Sequence, residues 1–517
     1  MTSVSRSWPI VLESATDRDS RLLREFAEFW KVPYQFTTRD AGGSLVFTTR
    51  ATHLPHGDED TTIVVSPSCR EDFDKVAREY GLETSSKIRL IHLPVGPSVK
   101  VSLRTEVHEF SGSRVEPVLR AGEVTILSKI RATRVYLLSV DLLGEYSKRI
   151  YGGIEERPSK RFWLASKLPF SYHTIPRFIR DRSFRSGQGS AEITEEKLSP
   201  VECLRTIFLA SLVTVCGPIP KIGFWRKGKS YALVVTHDVE TLAGLQMGAQ
   251  TLLRVERSLA IRSTWNIPSD RYPLSSQAVR DLRDSGEIGG HDTLHDGRLS
   301  FLDKKAKAQR LRDCRERLER LIEHPVHGFR APLLQHSSEL VAAVATAGYR
   351  YDSSCPSWEI LSPTSMHPHG VGSIFPFEVA NILEIPVSLP QDHQLMRVAG
   401  EKPPAAVDLL LRLSRWVQGL GGPCVLLVHP DYELGMVEWE SEYRRLLEHF
   451  ASDPSCDIMT LGEMSDWWRY RARAQWVATE ANPSIVSSDE GARGVELQAE
   501  LVTAYGSDGF TIERLPS

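Results

Sequence analysis

The sequence predicts an α/β protein whose second half is a barrel of the (β/α) type. Three observations carry this. From Tyr231 onward, apolar runs of strand length alternate with amphipathic stretches of helix length, seven or eight times over. Runs such as "YALVV" and "CVLLV" are almost continuously apolar, as strands buried on both faces require. Ionisable residues then gather just past the ends of these runs, where a barrel of this type exposes its chemistry.

The chain has 517 residues, enough for two to four domains, and 41% of them are hydrophobic. Lys plus Arg is 63 and Asp plus Glu is 66, a net charge of -3 that gives no footprint for nucleic acid. No apolar run approaches the ~20 residues that span a bilayer, and the first 20 residues do not read as a secretory signal. Seven scattered cysteines without a CxxC argue against a disulfide framework or a thiolate zinc site. A cytoplasmic setting is the expectation.

Residues 1–145 read as a smaller α/β, Rossmann-like domain of unknown role. "TTIVVSP" is a buried strand, and "REDFDKVAREYG" is an amphipathic helix closed by glycine. "KIRLIHLP", "VKVSLRTEVHEF", "EVTILS" and "TRVYLLSVDLLG" follow as strands. There is no GxGxxG and no GxxxxGK[ST]. Residues 146–228 form a connecting segment. It includes the aromatic and basic "LPFSYHTIPRFIRDRSF", a flexible link at 185–200, and the apolar helix "PVECLRTIFLASLVTVCG" between Pro and Gly.

The barrel covers 229–472. Its strands are "YALVVTHDVE", "RSTWNI", "EIGGHD", "VHGFRAP", "YRYDSS", "NILEIPVSL", "PCVLLVHP" and "DIMTLGEM". Helices are expected at 242–259, 276–284, 303–323, 337–347, 405–420 and 438–450. The tail, 473–517, is short and β-rich, with "VELQAELVTAY" and "GFTIERL" as a β-hairpin.

The strand ends carry His237, Asp238 and Glu240; His291, Asp292 and His295; Arg330; Asp352; Asp392 and His393; and His429. "HDTLH" spaces two imidazoles four residues apart, which on a helical turn puts both on one face toward a divalent metal. Two histidines and a carboxylate make a common catalytic zinc set. If the strand persists, Asp238 and Glu240 project to one side, one for the metal and one as base; otherwise Glu240 caps the next helix. Arg330 either lowers the pKa of a neighbouring carboxylate or makes a structural ion pair. His429 is either a satisfied core residue or a general acid.

"THDVE", "HDTLH", "FRAP", "YDSS" and "LLVHP", in that order, resemble the metal-dependent polysaccharide deacetylases, in the branch whose first motif reads Thr-His-Asp-Val-Asp/Glu. The resemblance covers about 229–469. It implies a deformed (β/α)7 barrel, one divalent metal of the Zn2+ kind, and removal of acetyl from an N-acetylated sugar or glycan precursor. It makes Asp238 the general base, His291 and His295 metal ligands, Arg330 the residue that orients the base, and His429 the general acid. Asp352 falls in the segment that supports that acid. The commoner first motif has two adjacent aspartates, the second a ligand; here that position is Val239. Glu240 is the substitute the resemblance suggests, and Asp238 itself is the alternative ligand. An amide hydrolase acting on a small cyclic amide or ureide, and a non-catalytic carbohydrate-binding relative, are the competing readings. The expected partners are a carbohydrate or small amide substrate, with no nucleic acid and no membrane span, and a homo-oligomer is compatible.

Overall fold

The protein is seen in a computed structural model that describes residues 9–36, 45–51, 61–167, 192–478, 483–486 and 497–515. The aromatic and basic segment at 168–184 and the first part of the link that follows, 185–191, lie outside the described residues. The chain divides into two units, one of 1–149, 199–227 and 470–517, the other of 150–198 and 228–469.

The first unit is built on a seven-stranded sheet. Five strands run parallel, in the order Tyr34–Phe36, Ile10–Glu13, Leu45–Thr48, Thr62–Val65 and Val135–Leu138. Val124–Ile130 and Val115–Ala121 extend it antiparallel. The sheet carries the helix Arg70–Tyr80, stopped at Gly81 with φ 64, and the helix Asp17–Trp30, capped by Thr16. "TRVYLLSVDLLG" is a strand only as far as Leu138; a helix, Leu142–Ile154, takes over. The helix Pro200–Cys216 is buried from Val201 through Val213, which explains its apolar composition on all sides. Ile219–Arg226 pairs with Leu497–Gly506, which forms an antiparallel hairpin with Gly509–Arg514.

The second unit alternates strand and helix. Its strands are β1 (Tyr231–Asp238), β2 (Ser263–Ile267), β3 (Gly286–Gly290), β4 (Gly328–Phe329), β5 (Tyr351–Asp352), β6 (Phe377–Val379), β7 (Ile382–Glu384), β8 (Pro423–Leu427) and β9 (Cys456–Ile458). Seven of them, β1 to β5, β7 and β8, form one parallel array in the order β7-β5-β4-β3-β2-β1-β8. β6 adds an antiparallel edge on β7, and β9 pairs with the start of β1. The helices Ala249–Ser258, Ser276–Ser285, Lys304–Ile322, Ser338–Thr346, Pro403–Gly419 and Glu440–Ala451 fill the intervals. No continuous ladder closes the ring. Its ends are instead linked through the chain beyond β7, where Leu389 N donates to Val425 O (3.4 Å) and Ser388 Oγ to Pro423 O (2.6 Å). The seven parallel strands thus stand as an open array whose ends are joined by these contacts. Among the described residues, no helix is long and apolar enough to cross a membrane.

Candidate metal and acid–base site

β1 shows how an alternating strand sorts its polar residues. Thr236 and Asp238 face inward to Arg330, whose Nη1 lies 3.1 Å from Thr236 Oγ1 and 3.5 Å from Asp238 Oδ1. His237, between them, faces outward. Its Nδ1 donates to Val428 O (2.8 Å) and its Nε2 lies 2.7 Å from Glu256 Oε1, with the ring packed on Trp265. Glu256 also accepts from Ser263 Oγ and Tyr443 OH, both at 2.6 Å. His237 is therefore bound into the packing between strand and helix.

Asp238 ends the strand and is buried. Oδ1 accepts from Asn266 Nδ2 at 2.8 Å as well as facing Arg330; Oδ2 faces His291 Nε2 at 3.8 Å. Burial pushes its pKa up, but the neighbouring His291, Arg330 and His429 and the Asn266 hydrogen bond bring it below the usual value. Arg330 spans the floor of the site, with Nη2 donating to Ser353 Oγ (2.8 Å).

His291 and His295 come from a loop after β3. The helical turn expected for "HDTLH" is absent: Asp292 and His295 have φ 69 and 50, in the left-handed region. Arg310 anchors this backbone by gripping both oxygens of Asp292, at 2.6 and 2.5 Å, while Asp292 Oδ2 accepts from His295 N. The rings still meet, 4.7 Å apart. His291 Nδ1 donates to Arg330 O at 2.8 Å, which leaves the lone pair on Nε2. Burial lowers its pKa to about 4, so the ring is neutral at neutral pH.

Glu240 lies beyond the strand and does not cap the next helix. Thr241 does that, accepting from Gly244 N at 3.0 Å. Glu240 Oε1 instead sits 3.1 Å from His295 Nε2 and 4.0 Å from His429 Nε2. Despite burial, His295, His429 and His291 hold its pKa well below the usual value.

His429 follows β8. Its Nδ1 is 2.7 Å from Asp392 Oδ1, and its backbone N donates to Asp392 Oδ2 at 3.0 Å. The ring stacks on Tyr432. Burial opposes its charge, but Asp392, Glu240 and Asp238 prevail and raise its pKa to about 10. Two close glycine contacts shape this loop. A Cβ on Gly248 would meet Pro430 O at 1.6 Å, and one on Gly435 would meet His429 O at 1.8 Å.

Six of the seven residues singled out from the sequence thus surround one buried gap: Asp238, Glu240, His291, His295, Arg330 and His429. Asp352 does not contact His429. Its Oδ1 accepts from Ser354 Oγ at 2.6 Å, and its carboxyl lies against Glu384 across the β5–β7 pairing. Burial raises both acids, Asp352 to about 6. The acid that supports His429 is Asp392. A carboxylate at a strand end was the only signal for it in the sequence.

A cation fits the gap. Glu240, His291 and His295 each bring one ligand atom within 4.8 Å of the others. The buried His291 Nε2 has no hydrogen-bond partner, and its lone pair faces the Asp238 carboxylate with no proton between. His295 needs one adjustment. Arg271 Nη1 donates to its Nδ1 at 2.7 Å, which places the ring proton on Nε2, toward Glu240. A metal must displace that proton.

No protein-family model and no curated protein matches the chain. Solved structures that it resembles include proteins named as polysaccharide deacetylases, a CE4 family pseudoenzyme and an allantoinase. A Mycobacterium smegmatis protein solved as a polysaccharide deacetylase is 20% identical, over 50% of this chain and 96% of that one, with a TM-score of 0.41. The allantoinase PuuE is 15% identical, over 48% and 93%, with a TM-score of 0.39. A mutant of a CE4 family pseudoenzyme, BA3943, is 13% identical, over 47% and 70%, with a TM-score of 0.33.

Proposed function

We propose that the barrel is a metal-dependent hydrolase that removes an acetyl group from the amino nitrogen of an N-acetylated sugar or glycan precursor. The observation that carries this is the opposition of two proton-transfer groups across one metal-ready gap. Asp238 is held ionised with Oδ2 open, while His429 is held protonated by Asp392 with Nε2 turned to the same gap. Amide hydrolysis needs both, a base for the attacking water and an acid for the departing amine.

A divalent ion of the zinc type, held by His291, His295 and Glu240, would polarise the amide carbonyl and lower the pKa of water. Asp238 Oδ2 takes a proton from the water whose oxygen attacks the carbonyl carbon. Arg330 and Asn266 hold the other oxygen, so the carboxylate does not turn. As the C–N bond breaks, His429 gives its Nε2 proton to the nitrogen, and the products are acetate and the free amine. Asp392 keeps the imidazolium oriented throughout.

The test is acetate release from a panel of N-acetylated sugars by the full chain, stripped of metal and then given Zn2+. Metal-dependent release that is lost in Asp238→Asn supports the reading. No release from any acetylated sugar, with turnover of a cyclic amide or ureide, would replace it with ring-opening amide hydrolysis; no turnover of either would leave a binding protein.

A further inference from the structure

A second group of metal-ligating side chains lies in the barrel unit, among residues that the proposed chemistry does not use. Glu156 follows the helix Leu142–Ile154, His336 follows the turn Pro332–Leu334, and His369 lies between β5 and β6. Each offers a ligand atom within 4.8 Å of the other two.

Both rings are engaged on one nitrogen and open on the other. His369 Nε2 lies 3.2 Å from Glu359 Oε2, and Glu359 is fixed through its other oxygen by Gln391 Nε2 at 2.5 Å. In the neutral ring that arrangement places the proton on Nε2 and the lone pair on Nδ1, as in histidines that bind a metal and lean on a carboxylate. Despite burial, Glu359 and Glu156 raise the pKa of the ring above its ordinary value, so a metal there displaces the Nδ1 proton. His369 Nδ1 is buried, has no hydrogen-bond partner, and faces Glu156 Oε1 at 3.9 Å. His336 Nδ1 donates to Leu334 O at 2.7 Å and lies 3.9 Å from Glu156 Oε2; its Nε2 is buried without a partner. The two rings stack at 5.3 Å. Glu156 is itself positioned, because Oε1 accepts from Thr364 Oγ1 (2.6 Å) and from Ser362 Oγ. The His336 side chain is fully buried, and those of His369 and Glu156 are 6% and 5% exposed. Buried lone pairs without donors are costly, and convergent ones call for a cation.

We infer that Glu156, His336 and His369 form a second divalent-metal site with a nitrogen–nitrogen–oxygen donor set of the zinc class. The ion would be held by His369 Nδ1, a Glu156 carboxylate oxygen and a ring nitrogen of His336. It would tie the chain at 155–156 to the loops at 332–337 and 359–372. Gln391, which steadies Glu359, is next to Asp392, so the clip also braces the segment that carries the partner of His429.

The test counts metal on the full chain after chelation and dialysis against Zn2+, with Co2+ absorption as a second readout. In the double variant His291→Ala, His295→Ala the second site is untouched. One equivalent per chain remains there, and it is lost, with affinity down on the order of 100-fold or more, when Glu156→Gln or His369→Gln is added. Glu156→Gln keeps the side chain's size and its hydroxyl contacts, so loss of metal there is not loss of fold. The inference is overturned if the double variant holds no metal and shows no Co2+ ligand-field bands, or if its metal is unmoved by both further substitutions. Failure of the first site alone reads differently: wild type then holds one equivalent, indifferent to His291 and His295 and sensitive to His369.

Discussion

Asp392→Asn tests whether His429 is an acid held ready by its buried partner. The asparagine keeps the shape but offers one acceptor oxygen to three donors, His429 Nδ1 at 2.7 Å, His429 N at 3.0 Å and His393 N at 2.8 Å. The rise of His429 from 6.5 to about 10 corresponds to about 5 kcal/mol in favour of the protonated ring. Asp392 is the nearest and largest cause of that rise. Without it, burial weighs more heavily against the charge and the value falls back toward the ordinary 6.5. At pH 8, a pKa of 6.5 leaves roughly one ring in thirty protonated, and the full 5 kcal/mol sets a ceiling of roughly 3000-fold. The sign follows from the role: the active form is protonated, so activity is lost as pH rises through the pKa of His429. The wild type should hold its kcat to a higher pH than the variant, which should lose activity steeply by pH 8 and recover much of it near pH 6. The raised value also means that His429 stabilises the fold fully below pH 6.5 and loses that contribution as pH climbs through about 10. The variant should show a flatter stability curve in that window. The assay is acetate release against pH at fixed metal loading, with denaturation curves alongside. A variant that keeps wild-type kcat at pH 8, or loses it equally at every pH, refutes the reasoning.

Three further outcomes are expected. Asp238→Asn should lower kcat by on the order of 10² to 10⁴ while metal content stays near wild type, since Asp238 handles the water's proton; retained turnover in acetate-release assays would sink that role. Glu240→Asp withdraws the carboxylate by roughly one C–C bond, about 1.5 Å. Metal ligands tolerate only about 0.2 Å, so zinc affinity measured by competition with a chelator should fall, and an unchanged affinity argues against Glu240 as ligand. Glu256→Ala strands three buried donors, on His237, Ser263 and Tyr443, at about 1–3 kcal/mol each. Denaturant titration should show a loss of several kcal/mol, and a loss below 1 kcal/mol contradicts the structural reading of His237.

What the sequence made visible tracks how local the determinant is. The parallel strands were readable because burial on both faces forces continuous apolar runs, and each run stops where its polar cluster begins. The helix Asp17–Trp30 has an equally local signal, the Thr16 cap and apolar residues at 22, 23, 26, 27 and 30. The "HDTLH" turn was misjudged because spacing alone cannot show a left-handed residue; Arg310 pins Asp292 into it from a helix 18 residues on. Asp352 and Asp392 show the same limit. Both are acids at strand ends, and only the fold decides which of them meets His429 and which meets Glu384.

On the proposed reading, the first motif places its acidic ligand two residues beyond the base, at Glu240 rather than at Val239. Val239 is fully buried; its N donates to Asn266 O, and its O accepts from Tyr272 OH at 2.5 Å. A carboxylate at that fully buried position would carry the cost of burying a charge. The chain past Asp238 turns, with Thr241 capping the next helix, and so brings residue 240 back over the gap. An acid two places beyond the base can then face the histidines, provided its side chain is long enough. The extra methylene of glutamate supplies that length, and Glu240 Oε1 reaches within 3.1 Å of His295 Nε2. Strand alternation fixes which side Asp238 serves, the turn decides which later residue returns, and side-chain length decides whether it can bind.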